Sequence, residues 1–220
     1  MSKKPPKTAI ALTELRRIGL LLESDAAAIS VCSLVAGKPI RGSWWGHPQG
    51  RNIWVVTEEL ADHPDVIVTK LVAGKTTFVH RKLWPALLAV ARSGETWQTR
   101  DLSSMARGLL QKVEAKGLMS LEQTQTSHHP DPKKLGKAVR ELESRLLVLS
   151  GQFHTENGSH AKRIESWSRW ARRVKIGRAR IGIEAAKARI ERAGEELGLV
   201  ASSGGPLPWN GVKKNKGRIK

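Results

Sequence analysis

Asp65-Val-Ile-Val-Thr-Lys-Leu-Val-Ala-Gly-Lys-Thr-Thr-Phe-Val-His80 is the stretch whose reading decides the fold class. β-Branched and aromatic residues fill both halves, and Ala73-Gly74 supplies a two-residue turn between them. The stretch therefore predicts two short antiparallel strands in a chain that otherwise reads as helix. Upstream, Thr8 to Ser24 sets Ile10, Leu12, Leu15, Ile18 and Leu22 on one helical face. Ser24 or Asp25 can cap a second, more buried helix that ends at Gly37. The turn Arg41-Gly-Ser-Trp-Trp-Gly-His-Pro-Gln-Gly-Arg51 then leads into a helix from about Gln49 to Leu60. Downstream, helix returns from Leu83 to Arg92, with Pro85 tolerated in its first turn. Asp101 to Lys116 carries the apolar stripe Leu102, Met105, Ala106, Leu109, Leu110 and Val113, capped by Asp101 or Ser103 and stopped by Gly117. Two helices on a short connector beside β-structure predict a mainly α (α+β) chain, with a winged-helix-like module over residues 8–121.

A Pro-rich linker, Ser127-His-His-Pro-Asp-Pro132, closes a spacer over residues 122–132. It also divides the charge. The 220 residues carry 38 Lys+Arg against 20 Asp+Glu, a formal net of +18. Residues 1–132 hold 17 basic and 12 acidic side chains, whereas residues 133–220 hold 21 and 8, so the smaller part has +13 of the excess. Lys133 to Ser150 is amphipathic, and from His160 the sequence reads helical to about Leu197. Together they predict a basic helical hairpin, an arm over residues 133–200, followed by a flexible basic tail over residues 201–220. No internal repeat is visible in the sequence.

Charge at this level points to an anionic partner, and nucleic acid is favoured over a membrane surface. The longest weakly polar stretch, Ala26 to Gly37, is far short of the ~20 residues that span a bilayer. The basic start of the chain has no apolar core of an export signal behind it. The lone Cys32 excludes an internal disulfide and a CxxC metal ribbon, so a reducing, cytoplasmic setting is expected. Neither a phosphate-cradling glycine loop nor a GxSxG nucleophile elbow is present, and no cofactor is called for.

Guanidinium groups match phosphate oxygens bidentately, which singles out Arg163, Arg169, Arg172, Arg173, Arg178 and Arg180, with Lys175, Lys213 and Lys214, as backbone contacts. The helix Asp101–Lys116 is the expected groove helix, with Arg100, Arg107, Gln111 and Lys112 on its polar side. That favours duplex DNA over RNA. Of the eight tryptophans, Trp54, Trp84, Trp167 and Trp170 read as core, and Trp44-Trp45 in a glycine-flanked turn read as a stacking pair. An alternative reading is a repair or processing enzyme, glycosylase-like or hydrolytic. It would use His47, His80 and the cluster His154, Glu156, His160 for acid–base work. The six-residue spacing of His154 and His160 fits neither an HExxH helix nor an EF-hand loop, so no metal is expected. A further alternative is an RNA- or ribosome-associated protein.

The blocks Gly42-Ser-Trp-Trp-Gly-His-Pro-Gln-Gly50, Thr77-Phe-Val-His-Arg-Lys-Leu-Trp-Pro85 and His154-Thr-Glu-Asn-Gly-Ser-His160 resemble a family of uncharacterised bacterial proteins over roughly residues 15–172. That resemblance implies no activity, cofactor or catalytic residue. Gln123-Thr-Gln125 is similar in spelling to the Gln-x-Gln pair with which bacterial DNA glycosylases built from winged helices position water. It falls in the polar linker, and no role is assigned to it.

Overall fold

The computed structural model describes residues 6–121, 131–154, 160–177, 181–199 and 205–210. Helix α1 (Lys7–Ile18) buries Ala11, Leu15 and Ile18. It stops where Gly19 takes a left-handed φ of 99° and its N–H returns to the Leu15 carbonyl. The three leucines that follow satisfy helical spacing and strand burial equally well. The structure makes them a fully buried strand, β1 (Leu20–Leu22), and so shortens the helix expected to reach Ser24. Asp25 closes a turn by accepting from the N–H groups of Ala27 and Ala28 at 2.8 Å. Helix α2 (Val31–Ala36) starts later, on a Ser30–Ser33 capping box, and ends at Gly37 as expected.

Helix α3 (Gly50–Ala61) leads into β2 (Val66–Val72) and β3 (Lys75–His80), the two strands predicted from sequence. Ala73 (φ 47°) and Gly74 (φ 69°) make the turn between Val72 and Lys75. Positive φ at both centres is the hairpin geometry whose twist matches the strands. Strand β3 pairs antiparallel with both β1 and β2, giving the order β1-β3-β2. Phe78, fully buried, sits in that central strand and belongs to the same core as Leu15, Ile53 and Leu60.

A 3-10 turn (Arg81–Leu83) feeds α4 (Trp84–Ala91), and a short α5 (Thr96–Thr99) connects to α6 (Ser104–Lys116). Ser103 caps α6 by accepting from Ala106 N–H, and Gly117 ends it. Next come β4 (Leu118–Ser120), α7 (Pro132–Ser144), β5 (Leu149–His154) and β6 (His160–Glu165), with sheet order β4-β6-β5, again antiparallel. Leu109, Val113, Leu135, Val139, Leu142 and Ile164 close a second core under this sheet. The two halves thus share one pattern. A helix precedes the first strand, another helix precedes an antiparallel pair, and the last strand lies in the middle. No sequence repeat accompanies it, because different apolar residues satisfy the same burial.

The mixed α/β class stands, but the basic helical hairpin does not. Helix α7 stops at Ser144, and the stretch from His160 is a strand before it is a helix. Strand β6 is followed by α8 (Trp167–Arg173) and, separately, by α9 (Ile183–Glu196). Ile164 explains the misreading: one buried apolar residue among Lys162, Arg163 and Glu165 shows neither period clearly. The segment expected as an arm in fact supplies both cores. Trp167, Trp170, Ala186, Ile190, Ala193 and Leu197 join the first core, with α9 packed on α4. Within the expected tail, Leu207 is buried, Pro206 accepts from Ala73 N–H at 2.7 Å and Trp209 Nε1 donates to Glu191 at 2.7 Å.

Alanine carries a steric penalty at the positive φ of residue 73 that asparagine largely avoids. Ala73→Asn should therefore stabilise the protein by about 1 kcal/mol, raising Tm by about 2–4 °C in a calorimetric scan. An unchanged or lower Tm would mean that the turn is not in this conformation.

Candidate nucleic-acid interface

Helix α7 is built by its own sequence. The Asp131 carboxylate accepts from Lys133 N–H at 2.8 Å, Pro132 occupies the first turn, and Leu135, Ala138, Val139 and Leu142 face the second core. Burying that stripe turns Lys133, Lys134, Lys137 and Arg140 to solvent in one row. Among the described residues none pairs with any of the four. Lys133 and Lys134 lie in the first turn of the helix, where the macrodipole is also positive.

Three acids of this half, Glu141, Glu143 and Glu165, are engaged elsewhere. Glu141 accepts from Ser103 N–H (2.9 Å) and Ser103 Oγ (2.7 Å), fastening the start of α6 to α7. Glu143, almost fully buried, accepts from Ser150 Oγ and from Lys162 Nζ at 3.2 Å. Glu165 takes Arg169 Nε at 3.5 Å and both Nε (3.3 Å) and Nη2 (2.8 Å) of Arg173. That hydrogen bonding holds the Arg173 guanidinium above its ordinary pKa. Arg145 ties the end of α7 to the α5 end through the carbonyls of Arg100, Trp97 and Gln98.

The residues singled out from sequence divide accordingly. Arg169 and Arg173, expected as phosphate contacts, are both paired with Glu165. Arg172 and Lys175 are exposed near them, and Arg163 projects from β6. Arg100 pairs loosely with Asp101 at 3.4 Å, Arg107 donates to the Leu102 carbonyl at 3.4 Å, and Gln111 and Lys112 are exposed on α6. Arg178, Arg180, Lys213, Lys214, Glu156, Gln123 and Gln125 lie outside the described residues. Lys133, Lys134, Lys137 and Arg140 were missed in the sequence because Lys133–Ser150 was read only for its apolar stripe. The i, i+4, i+7 spacing of Lys133, Lys137 and Arg140 opposite that stripe was the available signal.

Three histidines accept backbone hydrogen bonds at turns. His47 Nδ1 accepts from Gln49 N–H at 3.1 Å, His63 Nδ1 from Asp65 N–H at 3.1 Å, and His80 Nδ1 from Lys82 N–H at 3.4 Å. His154 and His160 are opposite positions in the β5–β6 register. Among the described residues no group of three His, Cys, Asp or Glu side chains could hold a metal ion. Cys32 is buried, which pushes its thiol pKa up and away from nucleophilic use.

The tryptophans also sort differently from expectation. Trp44 is core at 6% exposure, while Trp45, stacked on it at 4.3 Å and 19°, is 70% exposed. Trp54, read as core, is 47% exposed on α3. No helix among the described residues is long and apolar enough to cross a membrane.

A protein-family model described as AlkZ related matches residues 8–203. The chain belongs to the AlkZ-related family. No curated protein and no solved structure matches it. The match runs through both halves of this AlkZ-related protein, from α1 past α9, and takes in the α7 row and the Trp44–Trp45 turn alike.

Burial holds His80 below the ordinary histidine pKa, so the folded state takes up a proton less readily than the unfolded chain. Its contribution is present above about pH 6.5 and is lost as pH falls below that value. The urea midpoint should drop between pH 7.5 and 5.5, and His80→Asn, which keeps an acceptor without the charge, should drop less. Equal drops would remove His80 as a cause.

Proposed function

We propose that the protein binds duplex DNA, with each half a winged-helix unit and α7 the helix that enters the major groove. The observation that carries this reading is the row Lys133, Lys134, Lys137 and Arg140, unpaired among the described residues, on the helix directly before an antiparallel strand pair, with Glu141, Glu143 and Glu165 turned to internal partners. Element order and the 1-3-2 strand order in both halves support the winged-helix assignment. In helix-turn-helix relatives the second helix lies in the groove while the first packs behind it. Helix α6, expected from sequence to read the groove, precedes the first strand of its sheet and packs along α7. We place it beside the groove, with Arg107 and Lys112 toward the backbone. Arg163, Arg172 and Lys175 extend the positive surface. The family name agrees with DNA as partner, since AlkZ is a DNA repair glycosylase acting on crosslinks.

Anisotropy titration of a labelled duplex tests the reading. Affinity should fall by about 10³-fold or more from about 50 to 200 mM salt if six or more phosphates are neutralised. Lys137→Ala with Arg140→Ala should weaken binding at least about tenfold and reduce the salt slope by about two. Arg107→Ala with Lys112→Ala should cost less. A double α7 variant that binds like the parent would sink the assignment, and a competition in which structured RNA displaces the duplex would replace DNA with RNA.

The family favours a second reading, in which the protein also acts on the DNA it binds. Release of a base from an alkylated or crosslinked duplex, scored as alkali-labile sites, would establish that activity. Intact substrate after prolonged incubation with excess protein would leave binding as the function.

A further inference from the structure

We infer that the outward face of Trp45 is a stacking platform for an unpaired nucleobase, a site on the first half separate from the α7 row. Trp45, Trp54 and Val55, three of the four large apolar residues left exposed among the described ones, fall within eleven consecutive positions of the chain. A tryptophan this exposed is costly unless something covers it. Trp45 is also held in place. Its inner face lies on Trp44, which is anchored in the first core. The turn beneath is pinned by His47 N–H to the Trp44 carbonyl (3.0 Å), Gly50 N–H to the His47 carbonyl (2.7 Å) and Gln49 N–H to His47 Nδ1. A Cβ at Gly50 would stand 3.0 Å from the Trp45 carbonyl and 3.1 Å from that of Trp44, so the start of α3 approaches as closely as only glycine permits.

The surroundings choose the occupant. From Ala26 to Thr57 the chain has no acidic residue, and Lys38, Arg41 and Arg51 are exposed on either side of the tryptophans in sequence. A rigid aromatic face in a segment that carries three exposed cations and no acid matches a flat base on a phosphate backbone, the pairing by which single-strand binders hold bases. A paired base in a duplex keeps its faces stacked on its neighbours, so the platform accepts only a base that is single-stranded, bulged or extruded. This inference rests on the nucleic-acid reading of the preceding subsection and adds a structural preference to it.

The test compares three labelled probes of equal length: a fully paired duplex, the same duplex with one bulged base, and the single strand. The full-length protein should bind the bulged duplex more tightly than the paired one. Trp45→Ala should lower affinity for the bulged and single-stranded probes about tenfold, leaving the paired duplex unchanged, and Trp45→Phe should restore most of the loss. Lys137→Ala with Arg140→Ala should instead weaken both duplexes. Loss on all probes alike after Trp45→Ala, or on none, overturns the platform while leaving α7 binding intact. A Trp45→Ala variant that turns a dimer into a monomer in light scattering, with no change in probe preference, assigns the patch to a second copy of the chain and also overturns it. A parent protein that binds no probe removes both readings together.

Discussion

Three tryptophans in edge contact hold the two halves of this protein to one another. Trp84 of α4 meets Trp170 of α8 at 5.3 Å and 71°, and Trp170 meets Trp167 at 5.5 Å and 84°. Edge-to-face pairs of this kind add about 0.5–1.5 kcal/mol each beyond the area they bury. Trp84 is itself fixed by its Nε1–H, which donates to the Val79 carbonyl at 3.0 Å on the central strand of the first sheet. Helix α8 therefore begins at the end of the second sheet and finishes inside the first core. Helix α7 and β5 also meet β2 of the first half directly, and α9 on α4 reinforces the join.

Charge is arranged on the same frame. With an excess of +18 the chain cannot neutralise itself, and three acids near α7 hold the structure rather than screen the surface. Glu141 joins two helices, Glu143 joins α7 to both neighbouring strands, and Glu165 gathers two arginines at the start of α8. What remains outside is the α7 row. Exposed ion pairs are worth little individually, so the consequence is one of position: positive charge is concentrated where no partner among the described residues competes for it.

How much was legible depends on the strength of each local signal. The 65–80 hairpin, α3, α4, α6 and the first part of α7 show clear periods and punctuation, and they occur where those signals place them. Strands of three residues, such as β1 and β4, are too short for a period of two to register. Strand β6 carries one buried apolar side chain between charges that also suit a helix surface. The histidine-rich turns looked chemical because His, Gly and Trp cluster in them, yet each described imidazole nitrogen that is bonded caps its own turn. Trp54 was misplaced because helical spacing cannot say which side of a helix will be covered.

By itself the sequence determined the mixed α/β class, the hairpin at Ala73-Gly74, the buried thiol and the concentration of positive charge beyond residue 132, since each follows from local composition or spacing. Only the tertiary structure decided which cations are free, which tryptophan of the adjacent pair faces outward, and that the two halves repeat one topology. Those outcomes depend on partners distant in the chain: Glu165 for Arg173, the first core for Trp44, β3 and β6 as central strands. Burial and pairing across such separations leave no periodic trace in the residues themselves.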